Sequence, residues 1–99
     1  MKKMHLILGK DLAERTGQNE IVCRGMLRLA IQDQCGFDDP ALVERYLEKM
    51  GFREWETVLN NANLARRLAN VGVKNGSEAL AQLKRTLVEK QSLFTMSSL

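Results

Sequence analysis

The side chains best suited to nucleophilic or metal chemistry in this chain are one histidine and two cysteines, His5, Cys23 and Cys35. No Cys-x-x-Cys or His-x-x-x-His spacing brings them together as metal ligands, so no metal site is predicted. His5 lacks an acidic partner at helical spacing, and Cys23 lies in the middle of a partly apolar helical segment that does not favour a thiolate. If one helix carries both cysteines, they stand about 18 Å apart and stay free thiols.

Paired carboxylates occur at Asp38-Asp39 and at Glu54 and Glu56. Acidic side chains are favoured at helix N-caps and in first turns by the helix dipole, and this structural role accounts for both pairs. The sequence contains no glycine-rich phosphate loop, EF-hand loop or Walker pattern. We therefore expect a protein that is not an enzyme and that needs no cofactor.

Composition decides what kind of fold must position these residues. The 99 residues are enough for one domain, and the apolar content of 44% is ordinary for a globular protein. One proline, five aromatic residues and many Leu, Ala and Met favour helices over strands. We expect a single all-α domain over residues 1–94, a compact bundle of about five or six short helices, followed by a polar tail at 95–99.

The beginning of the chain places a basic pair before a short apolar stretch at residues 4–8. Five apolar residues are too few for a signal peptide core or a membrane span. A cytoplasmic protein without membrane contact is predicted. The stretch itself fits either a helix or a short strand, and helix is preferred.

Local patterns predict where individual helices begin and end. Asp11 and Glu14 have capping-box spacing, which predicts a short helix over at least Leu12 to Thr16, and Gly17 is its predicted stop. Asn19 is the expected cap of the next, central helix. Its predicted apolar face contains Val22, Met26, Leu29 and Ala30, widened by Leu27 and Ile31.

A glycine followed by a large apolar residue occurs at Gly36-Phe37, Gly51-Phe52 and Gly72-Val73. This pair is typical of a Schellman stop, so each is predicted to end a helix. Asp39-Pro40 and Ser77 are predicted helix starts. The apolar residues expected to point inward from the later helices are Leu42, Val43, Tyr46, Leu47, Met50, Phe52, Trp55, Val58, Leu59, Leu64, Ala65, Leu68, Ala69, Leu80, Leu83, Leu87 and Phe94.

Charge is unevenly distributed along the chain: residues 1–32 carry a net +3, residues 33–59 a net −4 and residues 60–99 a net +4. Opposite fields on separate surfaces allow one copy to associate with another, acidic patch to basic patch. This hypothesis predicts a protein-interaction or self-assembly module whose partner is itself or another helical domain. Its acidic side is Asp38, Asp39, Glu44 and Glu48, and its basic side is Arg66, Arg67, Lys84 and Arg85. A mixed surface on a monomer remains the structural alternative.

Six short helices with acidic and basic sides resemble, in size and style, the assembly domains of the death fold. The resemblance is architectural and covers most of the chain. It implies a domain that works by binding another helical domain, including its own kind.

A DNA-binding regulator is the alternative function. Residues 11–34 resemble a helix-turn-helix, with Ala13 in the first helix and Gly17 in the turn, and residues 19–33 are also similar to the second helix of ribbon-helix-helix repressors. Residues 68–80 resemble a helix-hairpin-helix module that grips a phosphate backbone. These resemblances imply nucleic-acid contacts from Gln18, Asn19, Arg24, Arg28 and Lys74.

Overall fold

A computed structural model describes the backbone of residues 2–91 and the side chains of residues 4–91. This part of the chain consists of six helices without a strand, which confirms the all-α prediction. The helices are α1 (Lys2–Thr16), α2 (Glu20–Cys35), α3 (Pro40–Leu47), α4 (Phe52–Leu59), α5 (Ala62–Asn70) and α6 (Gly76–Glu89).

The first helix is longer than the capping box predicted. It is continuous from Lys2, so the helical interpretation of residues 4–8 and the helix over Leu12 to Thr16 are both confirmed, and only the capping role inferred for Asp11 is wrong. Asp11 lies inside α1, where its carboxylate pairs with Arg15 at 3.1 Å and accepts a hydrogen bond from Thr86 Oγ1 at 2.7 Å. Tertiary partners on α6 and the buried side chains Met4 and Leu8 outweigh the local capping signal.

The central helix begins and ends as predicted. The Asn19 side chain accepts hydrogen bonds from the backbone N–H groups of Ile21 and Val22 at 2.8 and 3.4 Å. Gly36 ends α2 with a φ of 70°, and Phe37 N donates back to Gln32 O at 3.0 Å. A left-handed φ of this kind strains any residue with a Cβ, so glycine is the residue that this stop favours.

The predicted apolar face of α2 was partly wrong. The buried residues are Cys23, Met26, Leu27, Ala30 and Ile31. Val22 and Leu29 remain 39% and 44% exposed. The apolar arc is wider than the core beneath it, so its edge is left on the surface.

The third and fourth helices are joined by a tight connection. Asp39 caps α3 by accepting from Ala41 N at 2.9 Å, with Pro40 in the first turn, as predicted. The prediction for Gly51 is wrong: it precedes α4 as the N-cap, and its N–H donates to Glu54 Oε2 at 3.0 Å. Gly51 does not end a helix, because α3 has already ended at Leu47 and the φ of Gly51 is −99°, outside the left-handed region.

The last two helices follow the sequence pattern with one correction. Asn61 separates α4 from α5 and caps α5 through Asn63 N at 2.8 Å, and Gly72 ends that helix as predicted. Ser77 is not the cap of α6, which begins one residue earlier at Gly76. Gly76 packs so closely on Leu68 that a Cβ there would lie 3.3 Å from Leu68 Cβ, which is tighter than ordinary van der Waals contact.

The core of the described residues is a single cluster to which all six helices contribute. It contains most of the predicted inward residues, including Trp55 and Leu83, whereas Leu42 is 38% exposed and Ala69 is also on the surface. Phe94 and the predicted tail at 95–99 lie outside the described residues. Helix α2 packs against α1, α3, α4 and α5, while α6 packs against α1, α4 and α5. Over the same residues, none of the helices combines the length and apolar character that a membrane crossing requires.

Candidate protein interface

Apolar side chains gather on the solvent side of α2. Ile21 is 73% exposed, and Val22 and Leu29 join it on the same side of the helix. Leu6 of α1 is half exposed beside Ile21. We call Leu6, Ile21, Val22, Gly25 and Leu29 the outer face.

Two shallow depressions border this outer face. One, of about 430 Å³, is mostly apolar and is lined by Val22, Met26, Leu29, Pro40 and Val43 among others. The other, of about 450 Å³, is lined by side chains of α1, α2 and α3 that include His5, Leu6, Ile21, Arg24, Glu44 and Leu47. Gly25 and Arg28 line both. The outer face is therefore one continuous surface along α2 and the neighbouring edge of α3.

Gly25 lies in the middle of α2 at the centre of the outer face. A Cβ added there would meet no atom within 4 Å, so the packing of the chain does not require glycine. A glycine inside a helix costs about 1 kcal/mol relative to alanine. The absence of a side chain leaves room for another molecule to approach the backbone of α2.

The charged residues beside Gly25 are neutralised within the chain. Arg28 on α2 forms an ion pair with Glu44 on α3, and Arg24 forms one with Glu20 four residues earlier on α2. The stem of Arg24 crosses α1 at Gly9, where a Cβ would lie 2.5 Å from Arg24 Cγ. The outer face is thus apolar at its centre and bordered by paired charges.

His5 is a structural residue at the inner edge of this surface. Its side chain is 6% exposed, its ring stacks on Trp55 with 6.3 Å between ring centroids, and its Nε2–H donates to Arg24 O at 3.2 Å. Burial lowers the pKa of His5 below its ordinary value of 6.5. The imidazole is therefore held neutral and links α1 to α2. Residues 4–91 contain no group of three His, Cys, Asp or Glu side chains that could hold a metal ion.

The two cysteines are free thiols, as predicted. Cys23 is buried in the core and Cys35 is half buried at the end of α2. Burial raises the pKa of Cys23, which keeps its sulfur protonated and unreactive at neutral pH.

The predicted acidic residues lie on and around α3. Asp38 is exposed in the turn before α3, Asp39 caps that helix, and Glu48 is exposed at its end. Glu44 is the exception, because it faces α2 and pairs with Arg28. Glu44, predicted to bind a second copy, is thus paired with Arg28, which the nucleic-acid alternative predicted to contact DNA.

The predicted basic residues lie on α5 and α6, away from α3. Arg67 pairs with Asp33 of α2, and it lines a polar depression together with the exposed Arg66. Lys84 and Arg85 lie on α6 beside Val88 and Glu89. Helix α3 packs mainly on α2, so the acidic and basic sides occupy different helices of the bundle.

The residues assigned to nucleic acid are mostly engaged in the fold. The Gln18 amide donates to Val71 O at 3.0 Å, Asn19 caps α2, and Arg24 and Arg28 have carboxylate partners. Lys74 is exposed in the turn between α5 and α6. These residues do not form one cluster of unpaired donors.

The outer face itself was missed from the sequence, where Val22 and Leu29 were assigned to the core. The available signal was the width of the apolar arc on α2, since Ile21 and Val22 extend it well beyond the side that one core can cover. Gly25 within this arc was the second signal.

Comparison with protein-family models, with curated proteins and with solved structures finds no match for this chain.

Proposed function

We propose that this chain is a non-enzymatic helical interaction module that self-associates through the outer face. The observation that carries this proposal is the exposure of Ile21, Val22 and Leu29 on one side of a helix whose other side is fully packed. Large apolar side chains that gather on one surface, bordered by polar residues, are a mark of interaction sites.

The apolar centre supplies the affinity in this proposal. Covering a leucine or isoleucine that is otherwise exposed contributes about 1.5–3 kcal/mol before the cost of association is subtracted. Ile21 supplies most of that contribution in each copy, and the half-buried Leu29 adds a smaller share.

The charges on α3, α5 and α6 supply orientation. The acidic and basic sides lie on separate helices, which suits reciprocal attraction between copies. Because Glu44 and Arg67 already have partners within the chain, the steering falls mainly to Asp38, Arg66, Lys84 and Arg85. Exposed charges of this kind affect association rates and salt dependence more than affinity.

Light scattering behind size exclusion, over a series of protein concentrations, tests the proposal. The wild-type chain is expected to form an oligomer, and Ile21→Asp with Leu29→Asp is expected to leave a folded monomer. Val71→Asp is the matched control, because Val71 is 41% exposed after α5, outside the outer face. An oligomer that survives both aspartates would exclude the outer face as the interface.

Salt separates the apolar contribution from the charges. In about 0.5 M sodium chloride, attraction between exposed charges is screened beyond roughly 4 Å. The oligomer is expected to persist under these conditions. Three results together would assign binding to the charged sides instead. The oligomer would dissociate in high salt, charge reversal at Asp38 and Asp39 would disrupt it, and further reversal at Arg66 and Arg67 would restore it.

Nucleic-acid binding is the competing outcome of the same experiment. A monomer that carries nucleic acid at low salt and releases it at high salt would favour contacts from Gln18, Asn19, Arg24, Arg28 and Lys74. We favour self-association because the ion pairs of Arg24 and Arg28 would have to open before either side chain could bind a phosphate.

A further inference from the structure

The exposed side of α2 has nearly the same pattern in both directions from Gly25. Four residues before it is Ile21 and four after it is Leu29, and residues four apart lie on the same side of a helix. Three residues before it is Val22, whereas three after it is Arg28, so the repeat holds for Ile21 and Leu29 and not for every position of the strip.

Such a pattern suits contact between two identical antiparallel helices. When two copies of α2 cross at Gly25, each residue before the crossing point meets the residue equally far after it on the second copy. Ile21 of each copy then meets Leu29 of the other, which buries both apolar pairs at once. A self-complementary patch of this kind is the requirement of a two-fold symmetric dimer.

Gly25 lies where the two helices would be closest. Packed helices normally have axes 8–10 Å apart, and small residues at the crossing point allow a closer approach. The open space at Gly25 has no explanation within one copy, whereas Gly9 is filled by Arg24. Contact with the backbone of a second α2 gives Gly25 a structural purpose.

The surrounding charges permit this arrangement. Arg24 and Arg28 flank Gly25, so a symmetric crossing brings four guanidinium groups near the axis. Each is already paired within its own copy, with Glu20 or Glu44. The four arginines and their four carboxylate partners sum to no net charge near the axis, which limits repulsion between the two surfaces.

We propose that a second copy of this chain docks on the outer face with the two α2 helices antiparallel and Gly25 on the two-fold axis. This inference rests on the proposed self-association and specifies its geometry. A foreign helix would need no symmetric surface, so the repeat of Ile21 and Leu29 around Gly25 favours a second copy.

Cysteine cross-linking tests the register. In a chain whose native thiols are removed by Cys23→Ala and Cys35→Ser, Gly25→Cys is expected to form a disulfide dimer under copper–phenanthroline oxidation, since a disulfide joins Cα atoms about 4.4–6.8 Å apart. Ile21→Cys alone is not expected to cross-link, because its two copies lie roughly 12 Å apart along the helices. Ile21→Cys combined with Leu29→Cys restores a linked dimer. Val88→Cys on α6 is the exposed control.

A second variant avoids dependence on oxidation. Gly25→Leu adds a side chain whose Cβ meets no atom of its own copy within 4 Å, and helical circular dichroism checks that the fold is kept. The dissociation constant of the dimer is expected to rise by at least about tenfold. Gly25→Leu dimers of wild-type affinity, or cross-linking of Ile21→Cys alone, would overturn the antiparallel register and leave self-association standing. A wild-type monomer at every concentration would overturn both proposals.

Discussion

Helix α2 has apolar side chains on two faces, one buried in the core and one exposed to solvent. Leu27 is fully buried, whereas Leu29, two residues later, is 44% exposed. The inner face packs against the rest of the bundle, whereas the outer face is only partly covered by the chain itself. Apolar content therefore identifies a helix as central without indicating which of its sides meets the core.

The largest expected difference is between truncating Leu27 and truncating Leu29. Leu27→Ala removes buried methyl groups and leaves a cavity, so the free energy of unfolding should fall by about 2–5 kcal/mol. Leu29→Ala should change it by less than about 1 kcal/mol in dilute protein, because much of its surface is already in water. Urea denaturation followed by circular dichroism measures both. Equal losses would show that Leu29 also belongs to the core.

The two mid-helix glycines extend the comparison and should respond with opposite sign. Gly9→Ala places a Cβ against the stem of Arg24, and the overpacking should lower the free energy of unfolding by about 1 kcal/mol after the gain in helix propensity. Gly25→Ala meets nothing and should raise it by about 0.5–1 kcal/mol. Denaturation of dilute samples compares the two directly. A loss at Gly25 would mean that the chain itself occupies the space above it.

The sequence predicts those parts of this fold, chiefly helix ends, that depend on residues only a few positions away along the chain. Asn19, Asp39 and the glycines at 17, 36 and 72 mark helix ends through hydrogen bonds to the adjacent turn, so their effect does not depend on the rest of the molecule. The roles of Asp11 and Gly51 depend on which distant side chains are buried. Local patterns carry no such information, and these predictions were wrong.

The candidate site was harder to predict for the same reason. Glu44 and Arg28 were recognised as charged residues of interest, but their pairing joins α2 to α3 and cannot be derived from spacing along one helix. Val22 and Leu29 were placed in the core because a helical wheel gives relative directions on α2 and not the position of its neighbours. The outer face became visible only when the packing partners of α2 were known.

A smaller, pH-dependent effect should arise where the inner face of α2 meets α1. Burial lowers the pKa of His5, with Arg24 and Arg28 acting in the same direction and the Arg24 carbonyl and Glu44 opposing it. The unfolded chain takes up the proton near pH 6.5 and the folded chain only at lower pH. The free energy of unfolding should therefore fall as pH decreases from 6.5 to the lowered pKa and should not depend on His5 above that window.

Denaturation of the wild type and of His5→Gln at pH 7 and pH 5.5 isolates this contribution. Glutamine keeps a donor for the Arg24 carbonyl but does not titrate, so the difference between the two proteins should shrink as pH falls. If the difference in free energy of unfolding between the two proteins stays constant, the pKa of His5 is the same in the folded and the unfolded chain, as expected for a ring in solvent.

The smallest effect concerns the ion pair that borders the outer face. Arg28 and Glu44 are 39% and 43% exposed, so a double-mutant cycle with Arg28→Gln and Glu44→Gln should give a coupling of about 0.2–1 kcal/mol in dilute protein. The pair between Arg67 and Asp33 has similar exposure and lies away from the outer face, which makes it the matched control. If a second copy covers the outer face, water around the first pair is excluded and its coupling should grow with protein concentration, while that of the control stays constant. Equal behaviour of the two pairs would place Arg28 outside the contact between copies, and the two sides of α2 would then differ in packing alone.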